Sequence, residues 1–130
     1  MSNEMKLVYL IEELDPNSDF LKRVMGLNKY MFQSFNSIKA YTETTGKYVK
    51  PDLFIINHYV NSDFDGIGLC KAIKSNEDTK HIPVVIMAVQ NEGVELNSVL
   101  AGADEFIHKP FDIDLTRVLI KRALGELPEL

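Results

Sequence analysis

The sequence predicts an α/β fold, a five-stranded parallel sheet with helices on both faces. Three observations carry this. Apolar runs such as Leu53-Phe54-Ile55-Ile56 lack the alternation of a half-exposed strand, as expected where helices cover both sides. Strand-like and helix-like segments alternate five times between residues 5 and 124, which implies right-handed crossovers in a parallel sheet. The strands also stop on polar side chains: Glu12-Glu13, Asn57 and Lys109. In such sheets the carboxyl ends of the strands converge on a crevice, so these groups gather at one edge.

The first strand is expected at residues 6–11, followed by helix-starting chemistry in Asp15-Pro16-Asn17-Ser18-Asp19. Phe20, Leu21, Val24, Met25 and Leu27 then fall at helical spacing, predicting a helix over 16–27. Tyr30–Phe35 mixes aromatic and polar residues as an edge strand does, and 37–45 suits a short helix before Gly46. The third strand covers 52–57, and a loop at 58–64 leads to a helix that Asp65-Gly66 opens and that runs to about residue 75. Strand four is 84–88, and a helix over 92–101 ends at Gly102, where a left-handed cap needs no side chain. Strand five is 104–108. In the last segment, 112–124, Ile113, Leu115, Val118, Leu119, Ile120 and Leu124 form a stripe expected to bury one face. The chain reads as one domain, 1–130, with its core at 5–124. The tail at 125–130 is either a terminus or the first residues of a linker.

Composition excludes several roles. There are 14 Lys and Arg against 19 Asp and Glu, a net charge of −5, and the basic residues are scattered, so no nucleic-acid footprint is visible. With one cysteine, Cys70, no internal disulfide forms, and there is neither a signal segment nor an apolar run long enough to span a bilayer. A cytoplasmic, non-membrane protein is the expectation. Cys70 shares a helical pattern with Ile67, Leu69 and Ile73, where a buried, inert thiol is favoured over a reactive one.

Five motifs occur in order: Leu7–Glu13 with its acidic pair, "PDLFIIN" at 51–57, "DGIGLCKAIK" at 65–74, "IPVVIMA" at 82–88 and "AGADEFIHKPFD" at 101–112. With them the chain resembles the response-regulator receiver domain of two-component phosphorelay signalling, a flavodoxin-like (βα)5 doubly wound fold. The resemblance implies a non-enzymatic signalling module. In that family an aspartate at the tip of strand three accepts a phosphoryl group while the acidic pair holds a divalent metal.

This chain departs from that pattern at the reacting position, where Asn57 stands. An amide is neither the nucleophile nor the anionic ligand that the chemistry needs, so the ordinary acyl phosphate is not expected to form. Ala88 replaces the family's Ser or Thr, removing the hydroxyl that would bond a phosphoryl oxygen. The acidic pair is Glu12 and Glu13, each a methylene longer than aspartate. No cofactor is implied beyond weak Mg2+ through Glu13, the Asn57 amide oxygen and the Tyr59 carbonyl. Lys109 matches the family's phosphate clamp, but next to Asn57 a structural ammonium paired with Glu12 or Glu13 is preferred; Pro110 resembles the family's cis proline. Phe106 matches the aromatic switch position and is expected to lie inward over Ala88.

The resemblance therefore points to a degenerate pseudo-receiver that binds a protein partner, or itself, through the fourth helix, fifth strand and fifth helix. Val94, Leu96, Val99, Phe106, Arg117 and Lys121 are its candidate face residues, and an output domain in a longer chain is a further partner. Two rivals stand beside this: a phosphorelay receiver with an unusual acceptor or metal dependence, and a flavodoxin-like small-molecule module, against which only Ser18 offers a hydroxyl near the crevice at 12–18. Of the remaining candidates, His58 is expected to point away from residue 57 as a surface histidine. Asp65 is expected to cap its helix and Asp63 is a remote substitute acceptor. His81 and His108 are too dispersed for a metal site.

Overall fold

In the computed structural model, which describes residues 5–12, 18–26, 29–44, 49–58, 65–89, 93–110 and 112–126, five strands alternate with five helices. The order is β1 (Lys6–Ile11), α1 (Ser18–Met25), β2 (Tyr30–Phe35), α2 (Ile38–Thr42), β3 (Leu53–Asn57), α3 (Gly66–Ser75), β4 (Val84–Val89), α4 (Val94–Leu100), β5 (Glu105–Lys109) and α5 (Ile113–Ala123). The sheet order is β2-β1-β3-β4-β5 and every pairing is parallel. β3 is thus the middle strand, and all five of its residues are buried.

Alternation along the strands separates two cores. On one side Tyr9, Ile11, Phe54, Ile56, Val84 and Ile86 pack with Leu69, Cys70 and Ile73 of α3 and with Ala101. On the other, Val8, Leu10, Leu53, Ile55, Val85 and Ile107 pack with Leu21 and Met25 of α1 and Ile120 of α5. The five-residue α2 contributes no fully buried residue, yet its Tyr41 stands edge-on to Phe35 and Phe54, with centroids 5.6 and 5.5 Å away. Such edge-to-face rings anchor a helix too short to hold itself.

Two aspartates set strand starts one residue later than the apolar pattern suggests. Asp52 Oδ2 accepts the Leu7 amide at 2.8 Å while its own N–H donates to Leu7 O. Asp104 repeats the arrangement on Val84, at 2.8 Å, and also holds Lys74 Nζ at 2.9 Å. Both side chains satisfy the entering amide of a neighbouring strand, so β3 begins at Leu53 and β5 at Glu105.

The helices are shorter than their patterns: α1 stops before Gly26 and α4 ends at Leu100. Residues 16–17, 27, 45 and 92 of the expected helices lie outside the described residues. Gly102, at φ 96°, closes α4 through its N–H to Val99 O, as expected. The apolar stripe of α5 is a correction. Thr116 and Ile120 are its buried residues, with Leu119 and Leu124 partly buried, whereas Ile113, Leu115 and Val118 are exposed. The Asp112 carboxylate caps the Leu115 amide at 2.9 Å and starts the helix, whose sheet-facing residues are Thr116 and Ile120.

Candidate functional site

The carboxyl edge of the sheet is where the expected site residues come together. Asn57 closes β3 and is only 3% exposed, in register with Met87 of β4. Glu12 follows β1, its amide bonded to Phe35 O at 2.9 Å, and is half-buried. Ala88 is buried on β4 opposite His108, and Lys109, half-buried, closes β5 opposite Val89. The Lys109–Pro110 peptide is cis. Glu13 and Tyr59, the other expected metal ligands, and Asp63 lie outside the described residues. The described part of the edge supplies one carboxylate, Glu12, and one amide, Asn57. Among the described residues no three His, Cys, Asp or Glu side chains cluster for a metal.

Phe106 is partly buried against the core layer of Ile56, Ile86 and Ala101. Its ring is edge-on to His108, with centroids 4.9 Å apart at 71°. Ala88, Phe106 and His108 alternate onto the same face of the sheet, the one covered by α3 and α4.

His58 was missed as a structural residue. Alternation does send it away from Asn57, but it is half-buried, and Nδ1 accepts the Gly66 amide at 3.1 Å at the start of α3. Burial lowers its pKa, with Asp65 nearby opposing the shift. Asp65 caps α3 as expected, accepting Gly68 N–H at 2.8 Å. Cys70 is fully buried and its thiol is pushed up to about 11 by desolvation, which matches an inert side chain.

Two candidate face residues are corrected. Val94, the first residue of α4, is buried, and Arg117 turns towards α1, its Nε donating to Val24 O at 2.8 Å near the end of that helix. Lys121 lies one turn further along the same side of α5. Arg122 is paired bidentately with Glu105 of β5 at 2.5 and 2.7 Å, and Val118 and Leu115, one and two turns before it along α5, are exposed. Apolar spacing alone does not mark them, since Ile113, Leu115 and Val118 are exposed while Thr116 is buried.

A doubly wound parallel sheet with polar residues at the tips of β1, β3 and β5 defines a flavodoxin-like α/β domain. The profile of the response regulator receiver domain family matches residues 8–121, and the chain belongs to that family. It is similar to a histidine kinase P4 of Formosa agariphila, 27% identical over 93% of this chain and 9% of the kinase. It is also similar to the DNA-binding transcriptional regulator NtrC of Proteus hauseri, 41% identical over 52% of this chain and 14% of the regulator. This chain thus spans a small part of either relative. Among solved structures, the signal receiver domain of a signal transduction histidine kinase from Syntrophus aciditrophicus superposes with a TM-score of 0.79 at 22% identity, covering 96% of this chain and 94% of that one.

Proposed function

We propose that this is a pseudo-receiver of two-component signalling that regulates by binding a protein partner and takes no phosphoryl group. Asn57 carries the reading, because a neutral amide at the buried tip of the middle strand offers no nucleophile to phosphorus. Ala88 supports it, having no hydroxyl with which to hold a phosphoryl oxygen.

The docking face consists of α4, β5 and α5. Its apolar members are Leu96, 61% exposed, Leu115, 54% exposed, Val99 and Val118, beside the half-buried Phe106. Large apolar side chains left in water on adjacent elements are the ordinary mark of a contact surface. On this reading the domain works in the cytoplasm without enzymatic activity, cofactor or nucleic acid of its own. A kinase or output segment in the same or another chain is its partner.

Incubation with acetyl phosphate and Mg2+ followed by intact-mass measurement tests it. No phosphoryl adduct is expected. A stoichiometric adduct, stable in acid and labile in base, overturns the reading.

A further inference from the structure

The imidazole of His108 is held between two parts of the docking face. Nε2 lies 3.1 Å from Glu95 Oε1 in the first turn of α4, and the ring stands edge-on to Phe106. The other nitrogen, Nδ1, is buried and has no hydrogen-bond partner among the described residues. These contacts select one neutral tautomer: the proton on Nε2 donates to Glu95, and Nδ1 is left as a bare lone pair. A second proton must go to Nδ1, where it becomes a charged donor buried without an acceptor.

Few polar side-chain interactions tie α4, whose buried residues are Val94 and Ser98, to its neighbours. The helix has seven residues, and its cap, Gly93, makes no side-chain hydrogen bond. Ser98 Oγ bonds back within the helix to Val94 O. Among the described residues, Glu95–His108 is the side-chain polar link from α4 to another element.

The charges facing the ring are few. Glu95 approaches from α4, β4 presents Ala88 in register, and β5 presents Phe106. Glu105 and Lys109 alternate onto the opposite face, where Glu105 holds Arg122. Glu95 attracts an imidazolium, but its side chain is 58% exposed, so water screens that attraction; the imidazole is itself 41% exposed, with Nδ1 among its buried atoms and water within reach of a turn of the ring.

We propose that protonation of His108 rearranges the α4–β5 part of the docking face. The imidazolium turns Nδ1–H out to water, gives up its edge-on contact with Phe106, and draws Glu95 and the first turn of α4 with it. The proton comes from bulk water and returns there as pH rises, with no covalent step. This rests on the reading of the face as a docking surface and supplies that surface with a trigger independent of phosphate.

The test is an NMR titration of the full chain from about pH 8 to about pH 5, the range over which histidine titrates. Amides of Val94–Leu100 and the Phe106 ring are expected to shift with the midpoint of His108, and His108→Gln is expected to leave them flat. Helix α4 signals that ignore the His108 midpoint, or that still titrate in His108→Gln, overturn the proposal. Glu95→Gln, which keeps the length of the side chain and removes its charge, provides a second arm: the α4 amides and the Phe106 ring are expected still to follow one common midpoint, and two different midpoints also overturn the proposal. The readout needs no partner, so a null result sinks the trigger alone, while a phosphoryl adduct on the wild type sinks the docking reading and leaves the titration standing.

Discussion

His58 Nδ1 accepts the amide N–H of Gly66 at 3.1 Å, joining the end of β3 to the first turn of α3 beside Asn57. Only the deprotonated nitrogen can accept, which agrees with the lowered pKa of the ring. As pH falls through about 6.5, the unfolded chain takes up a proton at this residue before the folded one does. Stability from this group is therefore present above about pH 6.5 and lost below it. His58→Asn, whose Oδ1 can replace Nδ1, is expected to flatten that acid limb while keeping neutral-pH stability within about 1 kcal/mol. His58→Ala should lose about 1–3 kcal/mol by leaving the Gly66 amide without its acceptor while Asp65 still caps Gly68. Urea denaturation on either side of pH 6.5 checks both.

Gly66 permits the close approach of that turn. A Cβ built there meets Ile56 Cγ2 at 2.8 Å and His58 Cα at 3.3 Å. Alanine gains about 1 kcal/mol in helix propensity, but over-packing against a fully buried isoleucine costs about 1–3 kcal/mol. Gly66→Ala is expected to be a net loss, seen as a lower Tm, with His58→Asn unable to rescue it because the nearest clash is with Ile56.

Cys70 gives a direct test of core closure. Its thiol is fully buried and deprotonates only near 11, so at pH 8 almost no thiolate is available. Ellman's reagent is expected to leave the native chain unlabelled and to take one equivalent in denaturing urea. Rapid native labelling would mean that α3 opens from the sheet far more often than its packing allows.

The sequence made the strands legible because β1, β3 and β4 are buried on two faces and cannot hide an apolar run, and the edge position of β2 was legible from its polar interruptions. Asn57 was placed for the same reason: the run in β3 stops on it. The phase of α5 was not legible, since Ile113, Leu115 and Val118 are apolar yet exposed and Thr116 is polar yet buried. Composition misleads where apolar side chains stay in water and a polar one is buried. His58 and His108 were undervalued because their partners, Gly66 and Glu95, sit eight and thirteen positions away on other elements.

That phase is testable by substitution. Ile120→Ala is expected to cost about 2–5 kcal/mol as a core truncation. Val118→Ala and Leu115→Ala should stay within about 0.5 kcal/mol, as exposed changes do. Arg117→Ala should lose about 1 kcal/mol or more with the charge-assisted bond to Val24 O. Chemical denaturation of the four variants ranks them, and equal losses at positions 118 and 120 would put α5 in a different rotation.

Asn57→Asp separates what the amide removes from what the rest of the edge lacks. The carboxylate restores a nucleophile, so the variant is expected to take one base-labile phosphoryl group from acetyl phosphate with Mg2+ where the wild type takes none. Its stability should betray the burial. At a position 3% exposed, a carboxylate has its folded pKa raised by desolvation, so the variant resembles the wild type near pH 4. It should fall behind by about 1–3 kcal/mol as pH rises through that pKa. Ala88 still offers no hydroxyl to the new phosphoryl group, so the adduct is expected to form without moving the amides of α4. Adding Ala88→Thr should then couple the two, read as α4 amide shifts that appear on phosphorylation of the double variant and are absent from Asn57→Asp alone.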